Sequence, residues 1–172
     1  MPETLSAQTS ILPAEQIRQK ITRIAFEIYE RNFEETELVL VGVVQNGYLL
    51  AELLKAELQK ISPLTVSLFK LTINKRTPSL QIPEILPAPE NLQNKVVILV
   101  DDVLNTGRTL AYSLPIFLQQ EARKVEIATL IDRHHTLFPV TATYTGYSLA
   151  TTLNEHIEVV LPENGNFGAY LI

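Results

Sequence analysis

Two adjacent carboxylates, Asp101 and Asp102, directly follow five apolar residues and precede a short turn that contains threonine and glycine. The apolar run, residues 96–100, is typical of a buried parallel strand whose carboxyl end would carry both acids into a crevice. The turn at residues 105–109 offers two hydroxyls and backbone N–H groups at the start of a helix, an arrangement that binds phosphate. Because carboxylates bind sugar hydroxyls or a divalent metal, this run predicts a site for a ribose phosphate.

A plainer interpretation of the same residues stays open. An ordinary buried strand can be followed by an acid pair that caps a helix, and Gly107 can serve only to make a tight turn. The full run of residues 96–110, however, holds all of these residue types at a fixed spacing. That combination favours the ligand site over the plain strand and cap.

The run also resembles the phosphoribosyl-pyrophosphate (PRPP) signature of type I phosphoribosyltransferases. In that family, paired acids hold the ribose hydroxyls and a Thr-Gly-x-Thr loop holds the 5′-phosphate. The resemblance implies that Asp101 and Asp102 are the catalytic acids. It also implies a 5′-phosphate site, made mainly of backbone amides with two threonine hydroxyls, from Leu104, Asn105, Thr106, Gly107, Arg108 and Thr109.

The composition limits the class of protein. A length of 172 residues predicts one domain, residues 1–172, and 46% hydrophobic residues predict an ordinary core. No apolar run approaches the roughly 20 residues of a membrane span, and the N-terminus lacks the pattern of a secretion signal. Because there is no cysteine, disulfides, thiolate catalysis and cysteine-based zinc sites are excluded. We therefore expect a cytoplasmic protein that has no membrane partner.

The net charge of −5 bears on the ligands. An acidic protein must bind an anionic phosphate locally, through amide dipoles, a few cations and Mg²⁺, because its overall field repels the ligand. We expect Mg²⁺ to be held by the ligand, with Asp101 and Asp102 as the protein groups that can contact it. The same charge disfavours RNA as a partner, since nucleic-acid binding usually needs a basic surface.

Hydrophobic periodicity predicts strands that alternate with helices. Such alternation implies a mostly parallel sheet with helices on both faces, and ligands then bind beyond the carboxyl ends of the strands. The turns at residues 45–47, 102–109 and 133–135 should therefore converge. A proline-rich stretch without periodicity, residues 74–94, is expected to be a functional or mobile loop. The predicted helices cover 14–33, 48–61 and a segment ending near 121, and the predicted strands cover 38–44, 65–72, 96–101, 125–132 and, more briefly, 142–145, 156–161 and 169–172.

A second turn of interest joins a buried strand to a helix. Its residues are Val44, Gln45, Asn46 and Gly47. It can be a loop whose backbone amides bind pyrophosphate, or it can be a tight connection with no further role. Its position in the chain relative to the signature favours pyrophosphate binding. Because the turn has no cation, we expect Lys75, at the root of the proline-rich loop, to reach the pyrophosphate unless it is an ordinary solvated charge.

Beyond the signature, several segments resemble the family of bifunctional pyrimidine-operon attenuators/uracil phosphoribosyltransferases. The resemblance implies uracil as the base, a homodimer or larger homo-oligomer, and contacts of Arg133 and His135 with the base or the hood. The chain departs from that family in its uncharged pyrophosphate loop and in Phe26, which replaces a histidine of the first helix; the latter counts against an RNA-attenuator role. The matching segments are residues 22–32, 40–43, 130–135, 138–140, 144–146 and 151–152.

Asn105 bears on the choice of base. The 6-oxopurine transferases, which resemble this chain over the signature, have an aspartate here that assists the purine. Asparagine cannot accept a proton at neutral pH, which argues against hypoxanthine or guanine as the substrate. The neighbours His134 and His135 point to opposite sides of an extended segment, so they are not expected to share a metal.

These observations predict an α/β protein with the type I phosphoribosyltransferase fold, a central, mostly parallel sheet with helices on both faces and a small C-terminal hood. The predicted reaction transfers ribose 5-phosphate from PRPP to a nucleobase, with uracil preferred, and releases pyrophosphate. The alternative is a catalytically weak regulator of pyrimidine metabolism that binds PRPP or a nucleotide. The missing cations of the second turn favour this alternative.

Overall fold

The computed structural model describes residues 8–80 and 82–172. The expectation that no secretion signal is present rests partly on residues 1–7, which lie outside the described residues, as does Gln81 of the predicted loop. The described residues form nine strands and three α-helices, with a short 3-10 turn at Pro78–Leu80. In chain order the elements are β1 (Thr9–Pro13), α1 (Ala14–Arg31), β2 (Glu37–Val43), α2 (Asn46–Ile61), β3 (Thr65–Thr72), β4 (Glu84–Leu86), β5 (Val96–Leu104), α3 (Arg108–Gln119), β6 (Lys124–Asp132), β7 (Tyr144–Ser148), β8 (Ile157–Val160) and β9 (Gly168–Leu171).

The helices form where apolar residues recur every three or four positions. In α1, Ile17, Ile21, Ile24 and Ile28 are buried on one face, and Pro13 directly precedes the first helical residue. The predicted first helix is confirmed, although it ends two residues earlier than predicted. Among the described residues, no helix is both long enough and apolar enough to cross a membrane.

Six strands form the central sheet in the order β4-β3-β2-β5-β6-β7. Every neighbouring pair is parallel except β3 with the edge strand β4, so the predicted mostly parallel sheet is confirmed. β4 lies within residues 74–94, so the prediction of a loop throughout that stretch is wrong. Three residues are too few to show the alternating pattern of a strand. In the structure, Ile85 of β4 lies opposite Leu71 of β3, and both side chains are buried.

Helices cover both faces of this sheet, as predicted. On one face, α1 and α2 pack against the strands, and Leu50, Leu54 and Leu58 of α2 are fully buried there. On the other face, α3 contributes Leu110 and Phe117 to a second apolar cluster. β5 runs through the middle and is buried along nearly its whole length. Because both of its faces are covered, its sequence is a continuous apolar run.

A second, smaller sheet has the order β1-β9-β8, with both pairs antiparallel. The sequence predicted β8 and β9 but missed β1, whose only buried residue is Leu12. In β1, Leu12 lies opposite Ala169 of β9. The predicted C-terminal hood is therefore a sheet to which both ends of the described chain contribute.

Candidate active site

The acid pair lies within β5, which continues beyond it to Leu104. Asp101 is only 4% exposed, whereas Asp102, on the opposite face of the strand, is half-buried. The backbone N–H of Asp102 donates a hydrogen bond to Oδ1 of Asp101 at 2.9 Å. The strand therefore fixes two carboxylates in different environments at the carboxyl end of the sheet.

Each acid has a partner from another part of the chain. Lys75 Nζ lies 3.5 Å from Oδ1 of Asp101, and Asn46 Nδ2 donates to Oδ2 of Asp102 at 3.1 Å. Burial, and after it the negative charge of Asp102, raises the pKa of the Asp101 carboxyl to about 8. The half-exposed ammonium of Lys75 opposes this shift without cancelling it. Burial therefore favours the protonated form of the Asp101 carboxyl in the free protein.

The turn between β5 and α3 has the geometry of an anion-binding loop. Gly107 adopts φ 81°, the left-handed region that glycine enters without strain, and it stands at the N-cap of α3. The N-cap residue Gly107 has no side chain, and the hydroxyl of Thr106 accepts from the N–H of Arg108 at 3.3 Å. The N–H groups of Thr109 and Leu110, which line the cavity, lie at the positive end of the helix dipole. The backbone N–H groups of Leu137 and Phe138 donate to the carbonyl of Thr106 and hold the turn in place.

A cavity of about 550 Å³ unites these groups. It is lined by both acids, by Lys75 and by the whole predicted 5′-phosphate segment. Five further lining residues were not predicted as site residues: Val103, Leu110, Tyr112, Leu137 and Phe138. Of these, Tyr112 and Phe138 form an edge-to-face aromatic pair. The full lining is Lys75, Asp101, Asp102, Val103, Leu104, Asn105, Thr106, Gly107, Arg108, Thr109, Leu110, Tyr112, Leu137 and Phe138.

The second turn lies beside the acids, but none of its four described residues lines this cavity. The peptide bond between Val44 and Gln45 is cis, and the Gln45 side chain is exposed. Gly47 packs against β5 so closely that a Cβ atom there would lie 2.5 Å from the carbonyl oxygen of Val100. The turn therefore reaches the acid pair through the Asn46 side chain, and its predicted contact with pyrophosphate stays a prediction.

Arg133 and His135, predicted to contact the base or the hood, also lie outside the lining of the cavity in the described structure. Arg133 is 7% exposed, and its Nη1 donates to Oδ1 of Asn105 at 2.8 Å. The same guanidinium donates to the Thr151 hydroxyl and to the carbonyls of Thr152 and Glu155. Arg133 thus joins the 5′-phosphate segment to residues 151–155.

His135 also contacts residues 151–155. One ring nitrogen, Nε2, lies 2.7 Å from the carbonyl oxygen of Thr151. Its neighbour His134 is exposed and has φ 57°, and its backbone N–H donates to Oδ1 of Asp132. The predicted turn at residues 133–135 therefore meets the turn at residues 102–109 through Arg133 and Asn105. A contact of His135 with a base stays a prediction.

The described residues contain no cluster of three or more histidine, cysteine, aspartate or glutamate side chains that could hold a metal by themselves. Asp101 and Asp102 supply carboxylate oxygens, which are the ligands that Mg²⁺ prefers. Two side chains alone do not complete the coordination of the ion. This donor set fits a cation whose other ligands come from a bound phosphate compound.

Comparisons with known proteins agree with this geometry. Residues 7–163 match the model of the phosphoribosyl transferase domain family. The bifunctional protein PyrR of Fusobacterium nucleatum is 37% identical over 161 residues, which cover 89% of this chain and 90% of that protein. The bifunctional protein PyrR of Pelotomaculum thermopropionicum is 36% identical over 166 residues, covering 91% and 90%.

Solved structures of hypoxanthine-type enzymes share the fold. A hypoxanthine-guanine phosphoribosyltransferase from Bacillus anthracis superposes with a TM-score of 0.73 at 21% identity, covering 95% of this chain and 97% of that one. The hypoxanthine phosphoribosyl transferase of Trypanosoma cruzi gives a TM-score of 0.77 at 16% identity, covering 100% and 94%. The chain belongs to the type I phosphoribosyltransferases and, within them, to the pyrimidine-operon attenuator/uracil phosphoribosyltransferase family that contains the PyrR proteins.

Proposed function

We propose that the chain transfers ribose 5-phosphate from PRPP to uracil and releases pyrophosphate. The observation that carries this proposal is the single cavity that holds the acid pair, Lys75 and the N-terminus of α3. An anionic 5′-phosphate would bind at that helix N-terminus, and the ribose hydroxyls would donate to Asp101 and Asp102. The names of the PyrR relatives support a pyrimidine-related role, and uracil is the base that this family suggests.

In this reaction the bond between the sugar C1 and the pyrophosphate oxygen breaks, and its electron pair leaves with the pyrophosphate. A bond from C1 to a uracil nitrogen forms, and the proton of that nitrogen is released to water. The sugar gains positive charge as the leaving group departs. The Asp102 carboxylate would stabilise that charge, and Asp101 would do so once the binding of cations with the ligand displaces its proton. Lys75, whose ammonium is half-exposed and lies 3.5 Å from Asp101, would stabilise the negative charge of the departing pyrophosphate. The chain thus acts by positioning and electrostatics rather than through a strong base.

Mg²⁺ fits the site as a cofactor. Asp101 and Asp102, together with the pyrophosphate and ribose oxygens of the ligand, would hold the ion, and its charge would offset that of the pyrophosphate. The absence of cysteine supports a cytoplasmic location, and family resemblance supports a homodimer or larger homo-oligomer.

A regulator that binds PRPP or a nucleotide but turns over slowly is the second candidate function. It is favoured by the second turn, where Val44, Gln45 and Asn46 bring no cation to the site. Each missing charge-assisted hydrogen bond to pyrophosphate is worth about 1.5–3 kcal/mol, so two of them change the affinity or rate by about 10²–10⁴-fold. An RNA-attenuator role is weaker still, because the net charge is −5 and Phe26 of α1 is 47% exposed.

A turnover assay separates the first two functions. Uracil, orotate and hypoxanthine are each incubated with PRPP, Mg²⁺ and the protein, and release of pyrophosphate is measured. We expect uracil to be consumed fastest. The double variant Asp101→Asn/Asp102→Asn serves as the blank for contaminating enzymes, because it should neither bind PRPP nor release pyrophosphate. Binding of PRPP or UMP by calorimetry without turnover of any base establishes the regulator, and no binding of either ligand excludes both functions.

A further inference from the structure

We propose that Asn46 is a positioning residue for the sugar: its side-chain amide holds the Asp102 carboxylate in the orientation that binds ribose hydroxyls and anchors it to β8. This inference deepens the proposed function and rests on it, because it requires Asp102 to contact the ribose. It also gives the side chain at position 46 a role in sugar binding instead of pyrophosphate binding.

The first observation is the geometry of the amide. Asn46 is the first residue of α2, and its Nδ2 donates both to Oδ2 of Asp102 at 3.1 Å and to the carbonyl of Val159 in β8 at 2.8 Å. An amide NH₂ group has two hydrogens, and these two contacts use both. The amide is therefore oriented by two elements that lie far apart in the sequence.

The second observation is that backbone packing fixes the position of Asn46 relative to β5. The close packing of Gly47 against the carbonyl oxygen of Val100 leaves no room for a Cβ atom, so α2 begins in direct contact with β5. Since Asp102 lies two residues after Val100 on that strand, the distance between the amide and the carboxylate is set by this backbone contact. A short side chain such as asparagine then reaches Asp102 without long flexible bonds.

The third observation concerns the partners of the Asp102 side chain. Within the described residues, its side chain forms no ion pair, because Lys75 lies beside Asp101 instead. Asp102 accepts a hydrogen bond from the neutral Asn46 amide. A neutral donor orients the carboxylate but leaves its negative charge for the ribose hydroxyls.

The test compares a ligand that has ribose hydroxyls with one that has none. Ribose 5-phosphate and inorganic phosphate are titrated calorimetrically into the wild-type protein and into the Asn46→Ala, Asn46→Gln and Gln59→Ala variants. We expect Asn46→Ala to weaken ribose 5-phosphate binding about tenfold and to leave phosphate binding within about twofold. Asn46→Gln, which keeps the amide, should recover part of the loss. Gln59 is an exposed amide on the same helix, so Gln59→Ala should match the wild type for both ligands.

Two results would overturn the inference. Unchanged ribose 5-phosphate binding by Asn46→Ala would show that Asp102 needs no such support, and an equal loss for both ligands would show general damage to the site. The Asp102→Asn variant tells this failure from a failure of the proposed function. If Asp102→Asn loses ribose 5-phosphate and Asn46→Ala does not, only the role of Asn46 is wrong. If Asp102→Asn also binds ribose 5-phosphate normally, the acid pair does not hold the sugar.

Discussion

The buried acid Asp101 links the chemistry of the site to the stability of the fold. Burial and the adjacent Asp102 raise its pKa to about 8, well above the usual 3.8 of an aspartate. The folded chain therefore binds a proton between these two values that the unfolded chain has released. Stability from this group is complete below about pH 4 and is lost as the pH rises toward about 8.

This linkage predicts a pH-dependent difference between the wild type and the Asp101→Asn variant, whose amide does not ionise. The free wild-type protein should lose up to about 1.4 kcal/mol of stability relative to the variant for each pH unit gained within the window, which is about 3–5 °C in Tm. Thermal melts of both proteins from pH 5 to pH 9 measure the difference. Melting temperatures that run parallel over this range would show that Asp101 is ionised in the free protein.

At the scale of elements, one strand, one turn and one helix carry most of the candidate site. Residues 101–109 are contiguous, so their chemistry and their spacing could be predicted from the sequence, and they line one cavity as expected. Tyr112 and Phe138 could not be assigned to it, because an aromatic residue in an apolar pattern is indistinguishable from a core residue. The contact of Asn46 with Asp102 could not be predicted, since nothing in the sequence shows that α2 starts against β5.

Arg133 is another residue whose role could not be predicted from the sequence. Its hydrogen bonds reach Asn105, 28 residues away, and three groups within residues 151–155, so tertiary packing alone decides its role. Among the described residues, the buried guanidinium of Arg133 forms no ion pair, and all of its hydrogen-bond partners are neutral. Because Arg133 holds Asn105 without lining the cavity, it is a support of the 5′-phosphate segment.

Replacing the guanidinium of Arg133 by the ammonium of lysine tests its supporting role. Arg133→Lys keeps the charge but cannot reach all four partners, so it should lower the free energy of unfolding by about 2–4 kcal/mol and weaken phosphate binding. Urea unfolding and phosphate titration measure the two effects. Arg123→Lys is the matched control, because Arg123 is about half-exposed where it pairs with Glu35 and should change stability by less than about 1 kcal/mol. Equal effects of the two substitutions would remove the special role of Arg133.

At the scale of the whole molecule, the two sheets share one apolar core. Leu12 of β1 and Val159 of β8 belong to the same buried cluster as Leu54 of α2 and Val100 of β5. The small sheet therefore cannot separate from the central sheet without exposing this cluster to water. The contact of Asn46 with β8 also depends on that packing, so the sugar site and the hood are joined through one core.

A shared core predicts that the chain unfolds as one cooperative domain. Leu12→Ala, in the small sheet, and Leu54→Ala, under the central sheet, should each lower the free energy of unfolding by about 2–5 kcal/mol, because both leucines are buried and leave a cavity. Each variant should still show a single transition in urea, followed by circular dichroism and by tyrosine fluorescence. Leu118→Ala is the control, since that leucine of α3 is 65% exposed and its loss should change stability by about 0.5 kcal/mol or less. If Leu12→Ala instead produces a separate early transition while the rest of the chain stays folded, the small sheet is an independent unit, because a residue that supports one shared core cannot release only part of it.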